Sequence, residues 1–158
     1  MNEREFSMRV HGCMNRLWRI SWSMLRCGAD CDDAVQEAIF RAWRKRGTLR
    51  EEKYFETWLT RILINECRRM LRRRSSGNAP VPESYADQAA TENPELADAI
   101  AVLPVELRLP IVLHYMEGYR IQEIAGILRL PETTVKWRLR SGRQRLRCEL
   151  DAVEEVRR

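Results

Sequence analysis

Residues 133–147 read TTVKWRLRSGRQRLR, with six basic side chains and no acidic one. Such a run repels itself, so it needs either a solvated face or an anionic partner. At 100° per residue, Val135, Leu139, Leu146 and Leu150 fall within about 60° of one another and form an inward stripe. Thr133, Lys136, Trp137, Arg140, Gln144 and Arg147 lie on the other side, and Thr134 joins them at the helix start. Helix donors of this kind suit the major groove, where an arginine fork matches O6 and N7 of guanine. Arg140 and Lys136 are placed for base edges, and Trp137 beside them for a thymine methyl or a groove wall. Arg138 lies nearer the apolar stripe and suits a phosphate; Arg143 and Arg147, with Arg145, lie too far along the helix for one groove contact and also suit phosphates. The plainer alternative is a charged helix that is merely solvated.

A second basic run, NECRRMLRRRSS, holds Arg68, Arg69, Arg72 and Arg73 at i, i+1, i+4 and i+5, one helix face. Asn65 opens the run, and Tyr54, Phe55 and Trp58 precede it. Cations beside exposed rings are what a single strand needs, since bases stack and phosphates pair. The spacing of Phe55 and Trp58 makes them core, which leaves Tyr54 as the stacking candidate.

Other chemistries find less support. His11, Cys13, Cys27 and Cys31 are too loosely spaced for a structural zinc site, and small buried thiols are the better reading. No metal or cofactor is expected. His11 and His114 stand far apart, no nucleophile has a nearby base, and no glycine-rich phosphate loop exists. An enzyme is therefore not expected. Five cysteines without a CxxC pair suit a reducing cytoplasm. A charged start and the lack of any apolar run of about 18 residues predict neither a signal peptide nor a membrane span.

The elements that must hold these residues are helices. The 158 residues carry a net charge of +5, unevenly spread. Residues 1–74 hold 17 Lys and Arg against 10 acids, residues 75–94 none against three, and residues 95–158 hold 11 against 10. The stretch 75–94 has three prolines and no Leu, Ile, Phe or Trp, so it reads as a mobile linker between two small helical domains, 1–74 and 95–158. Ahead of it, Phe6, Val10, Leu17, Ile20 and Met24 mark a first helix. Ala34, Val35, Ala38, Ile39, Ala42 and Trp43 mark a second over 30–46, capped by Asp30 or Asp32. Phe55, Trp58, Leu59, Ile62 and Leu63 mark a third, interrupted at Asn65 and Glu66 and resumed at Met70 and Leu71. Beyond the linker, Leu96, Ile100 and Leu103, then Leu107, Ile111 and Tyr115, recur near helical spacing. Pro104 and Pro110 mark a helix start and an early-turn position, and Gly118 an end. Residues 120–140 then read as helix, turn, helix, with Ile124 and Leu128 apolar, Ala125 small for close approach and Pro131 at the turn. No strand signature occurs.

Taken in order, these segments resemble the extracytoplasmic-function (ECF) class of bacterial sigma factors, which keeps domains two and four of the sigma-70 family. DCDDAVQEAIFRAWR resembles the helix that binds core RNA polymerase, FETWLTRILINECRRMLRRR the segment that reads and opens the −10 element, and LPVELRLPIVLHYMEGYRIQEIAGILRLPETTVKWRLRSGRQRLR the domain that reads the −35 element. The resemblance implies an all-α protein of two domains, 1–74 and 95–158, that confers promoter recognition and opening without being an enzyme. It implies that Asp33, Gln36, Glu37 and Arg41 face the β′ clamp helices, that domain four meets the β flap, and that Asn65 with its neighbours meets the unpaired −10 strand. Duplex −35 DNA, an anti-sigma factor and a cytoplasmic setting follow, with no membrane contact of its own. Three departures stand out. Arg129 occupies a turn position where the family usually has Gly, Trp137 one where Ser is common, and Arg120 one where a small polar residue is common, adding a phosphate contact. The family's aspartate near position 69 is also replaced, leaving that helix more basic. A conventional helix-turn-helix regulator that binds its duplex site alone, with 1–74 sensing or dimerising, is the competing reading.

Overall fold

Asn2 and Glu5 open the first helix as a reciprocal cap: the Asn2 side chain accepts from the Glu5 amide at 2.9 Å, and Glu5 accepts from the Asn2 amide at 3.1 Å. In the computed structural model, which describes residues 1–76 and 93–158, this helix, α1, spans Glu3–Leu25. It stops where Arg26 turns left-handed (φ 54°) and donates its amide to the Trp22 carbonyl. Helix α2 follows at Gly28–Lys45. Neither Asp30 nor Asp32 caps it; Cys27 occupies the cap position without a side-chain hydrogen bond. Asp30 instead pairs with Arg74, and Asp32 accepts from Trp18 Nε1 at 3.1 Å. Two short 3-10 turns, Arg46–Thr48 and Glu52–Tyr54, lead to α3 at Phe55–Ser75.

The three helices pack against one another around Leu17, Ile20 and Leu25 of α1, Ala34, Val35, Ala38 and Ala42 of α2, and Phe55, Leu59, Leu63 and Ile64 of α3. Three alanines on the buried face of α2 let both neighbours approach closely, while each large side chain so buried contributes about 1.5–3 kcal/mol. Phe6 meets Trp43 and Phe55 edge-on at 5.1 and 5.6 Å. At the far end, Arg74 Nη1 donates to the Leu25 carbonyl at 2.8 Å, pinning the end of α3 to the corner between α1 and α2.

Beyond residue 92, Asn93 caps α4 (Pro94–Val102) by accepting from the Leu96 amide at 3.1 Å, with Pro94 at the first helical position. Ser75 still belongs to α3 and Pro94 already to α4; the rest of the expected linker, 77–92, lies outside the described residues. Helix α5 (Val105–Ile111) continues into a wide π turn over Val112–Met116. Pro110 is therefore not an early-turn residue. It sits in the second turn, where it can give no amide to the helix, and the wide turn follows it. That turn also rotates Tyr115 out of the stripe begun by Leu107 and Ile111, and its ring is exposed. Gly118 (φ 76°) then closes the segment, with the Tyr119 amide on the Leu113 carbonyl at 2.9 Å. Helices α6 (Ile121–Leu128) and α7 (Glu132–Arg157) complete the second unit, and every described element is helix or turn. Between them Arg129 is left-handed (φ 54°, ψ 49°), as expected of a turn position that favours Gly.

Helix α7 is the spine on which α4, α5 and α6 pack. Val135 and Leu139 are buried as the stripe requires, but Leu146 and Leu150 are only half-buried, since α7 outruns the helices beneath it. Ala125 is half-buried, and a tight approach falls at Gly142: a Cβ there would stand 2.9 Å from Ile111 Cγ1 and 3.5 Å from the Leu107 carbonyl oxygen.

Candidate functional site

The first unit presents two surfaces divided by α3. Asp33 and Gln36 are exposed on α2, while Glu37 and Arg41 are half-buried. These four, with Phe40, form one wall of a cleft of about 640 Å3 whose other wall is Glu66, Arg69, Met70 and Arg73 of α3. All four residues expected on the polymerase-facing side thus share one depression. Arg41 is committed within it: its Nε donates to Glu37 Oε1 at 2.7 Å and forms an ion pair with Glu66, 2.9 Å from its Oε1. Glu66 is only 5 % exposed, and Arg69 Nη2 stands 3.9 Å from the same oxygen.

The arginines expected on one face of α3 are split by this arrangement. Arg69 and Arg73 line the cleft. Asn65, Arg68 and Arg72 follow a different stripe, within about 60° at 100° per residue, that also takes in Arg61. Asn65 and Arg72 are exposed; Arg61 and Arg68 are half-buried. Tyr54, 51 % exposed, precedes this stripe in the turn before α3, with Lys53 Nζ 4.8 Å from its ring centre. Lys53 Nζ donates to Glu51, 2.8 Å away, and that hydrogen bond raises the Lys53 pKa above its ordinary value. Phe55 and Trp58 are buried, as their spacing required. The sequence reading missed Arg61 and Glu66. Stripe spacing would have found the first, and the second was visible only as a break in apolar periodicity.

The second unit carries a helix-turn-helix of α6 and α7. Thr133, Lys136, Trp137, Arg140, Arg143, Gln144 and Arg147 are exposed on α7, with Thr134 and Arg138 half-buried beside the core stripe. Trp137 is 63 % exposed, and Arg120 is exposed at the start of α6. No carboxylate pairs with Lys136, Arg138, Arg140, Arg145 or Arg147 among the described residues; the ion pair on this helix joins Arg157 to Glu95, at its far end. Arg143 differs from its neighbours, donating to the Tyr115 hydroxyl at 2.8 Å. His114 is held by the Tyr119 carbonyl at 2.8 Å from Nδ1, which gives it a place in the turn.

The thiols are packing groups. Burial pushes Cys13 and Cys31 from 9.0 up to about 11 and Cys67 up to about 12, so all three are protonated at neutral pH. Cys13 Sγ lies 3.3 Å from the Val10 carbonyl, and Cys148 is exposed. His11 is exposed on the outside of α1. No described helix is long and apolar enough to cross a membrane.

Two all-helical units, one with a cleft beside a basic stripe and one with a helix-turn-helix whose second helix is cationic along its exposed face, have the make-up of a nucleic-acid-binding protein. Residues 10–77 match the Sigma-70 region 2 family and residues 94–146 match Sigma-70, region 4. The ECF RNA polymerase sigma factor SigM of Mycobacterium tuberculosis is 37 % identical over 143 residues, covering 87 % of this chain and 71 % of that one. The ECF RNA polymerase sigma-E factor of Escherichia coli is 31 % identical over 138 residues, covering 73 % and 71 %. Among solved structures, Bartonella quintana RpoE, crystallised with the anti-sigma factor NepR, aligns with a TM-score of 0.80 at 22 % identity over 94 % of this chain and 98 % of that one. CnrH, in complex with the cytosolic domain of CnrY, aligns at 0.73 and 25 % over 96 % and 90 %. The chain belongs to the ECF sigma factors of the sigma-70 family. Its function is promoter recognition in transcription initiation, and it is not itself an enzyme.

Proposed function

We propose that the first unit joins core RNA polymerase to the −10 element and the second reads the −35 element. Asp33, Gln36, Glu37 and Arg41 meet the β′ clamp helices along the α2 side of the cleft. Tyr54, Asn65, Arg68, Arg69, Arg72 and Arg73 serve the unpaired −10 strand: exposed Asn65 and Arg72 contact it directly, and Arg69 and Arg73 from the cleft side hold phosphates. Extruding a base costs a few kcal/mol of unstacking, which these contacts offset without covalent chemistry. In the second unit α7 enters the major groove by its N-terminal half, with Arg140 and Lys136 at base edges and Arg138, Arg145 and Arg147 at phosphates. Arg143 reaches a phosphate only by leaving or sharing Tyr115. Arg120 adds a phosphate contact from α6, and the same unit docks on the β flap.

The observation that carries this reading is the cationic face of α7, which has no carboxylate partner along its first four turns among the described residues. RpoE and CnrH, the relatives of like fold, are each held by a second protein, and an anti-sigma factor of the same kind fits this chain as its inhibitor. Fluorescence anisotropy on duplex promoter fragments tests the division of labour. Weak binding by the chain alone and tight, 1:1 binding with core polymerase are expected. Tight binding as an unaided dimer would support the conventional regulator instead.

A further inference from the structure

The cleft holds a charged group with no place in the scheme above. Glu66 is 5 % exposed, yet it belongs to the helix whose basic residues the scheme gives to DNA. A buried carboxylate persists only beside a cation, and its cation is Arg41, on the neighbouring helix. Arg41 Nε is shared with Glu37, one turn away on α2. Two carboxylates from two helices therefore converge on one nitrogen. With that nitrogen occupied, the guanidinium plane is fixed relative to both helices, and its long stem loses the freedom it would have on an open surface. Arg69 also leans toward Glu66, its Nη2 standing 3.9 Å from the same oxygen.

We infer that Glu66 is a positioning residue for polymerase binding: it makes no contact with the polymerase itself, but sets Arg41, and through it Glu37, in the orientation the polymerase meets. This rests on the reading of the α2 face as the polymerase contact. Were Glu66 merely part of the packing, its removal would lower binding only as far as it unfolded the unit. As a positioning residue, its removal devalues Arg41 in a fully folded chain.

The test is a double-mutant cycle on the full chain, with E66Q, R41Q and the double variant each titrated against purified core polymerase. Circular dichroism gives the folded fraction by which each affinity is corrected. E66Q preserves shape and a hydrogen-bond acceptor while removing the charge. It should weaken core binding about tenfold after that correction, and R41Q in the E66Q background should add little, so that the two losses are strongly non-additive. Fully additive losses, or a loss in E66Q that vanishes on correction for folding, would overturn the assignment. A wild-type chain that fails to bind core would instead remove the polymerase reading, and this assignment with it.

Discussion

Single side chains decide what α7 reads. Arg140 is exposed in the N-terminal half of α7, the half proposed to enter the groove, whereas Arg145 lies more than one turn further on. Arg140→Ala should therefore lower discrimination between an intact and a mutated −35 element, at about 1–3 kcal/mol for a lost bidentate contact. Arg145→Ala should weaken binding to both alike, and competition anisotropy with core polymerase present separates the two. Equal effects on both elements would contradict the division. Arg129 is a second case, and one legible from sequence alone, because an arginine where a turn needs a left-handed residue carries its cost wherever it folds. With φ at 54°, Arg129→Gly should raise the stability of the second unit by about 1 kcal/mol in urea unfolding. Glu66 lay at the opposite extreme. Its partner Arg41 is 25 positions upstream, and no local pattern announces a pairing between helices.

At the scale of elements, helix existence followed from periodicity, while ends and rotations followed from contacts that periodicity does not carry. Asp30 and Asp32 have the chemistry of caps, yet Arg74 and Trp18 claim them from other helices, so α2 starts earlier at Gly28. Tyr115 matched the stripe of α5 until the π turn shifted the register beneath it. The helix-turn-helix was legible because its turn, its two stripes and its basic face agree locally; the close approach of α5 to α7 was not, since a lone glycine inside a helix names no neighbour. Gly142→Leu puts a side chain where Ile111 already sits, and should destabilise the second unit by about 1–3 kcal/mol. Thermal unfolding of the variant checks this, and an unchanged midpoint would place the α5–α7 contact elsewhere.

For the molecule as a whole, the two helical units and their separate basic surfaces were visible in the charge distribution, because the stretch between them has no cation and no Leu, Ile, Phe or Trp. The buried thiols add a pH limit that belongs to the first unit alone. Folding raises Cys13, Cys31 and Cys67 from 9.0 to about 11, 11 and 12, so the folded chain holds protons that the unfolded chain has released. Their contribution is fully present below pH 9 and declines as pH rises from there, by up to about 1.4 kcal/mol per pH unit for each thiol. Urea unfolding followed on the first unit from pH 8 to pH 10.5 should show that decline, and replacing Cys67 with Ala should make it shallower by about a third. The central claim concerns initiation, and reconstituted run-off transcription with purified core polymerase on a pooled genomic library tests it most directly. Discrete transcripts that need this chain, and whose starts share two spaced upstream elements, are predicted; proven core binding with no specific transcript from any template would contradict it.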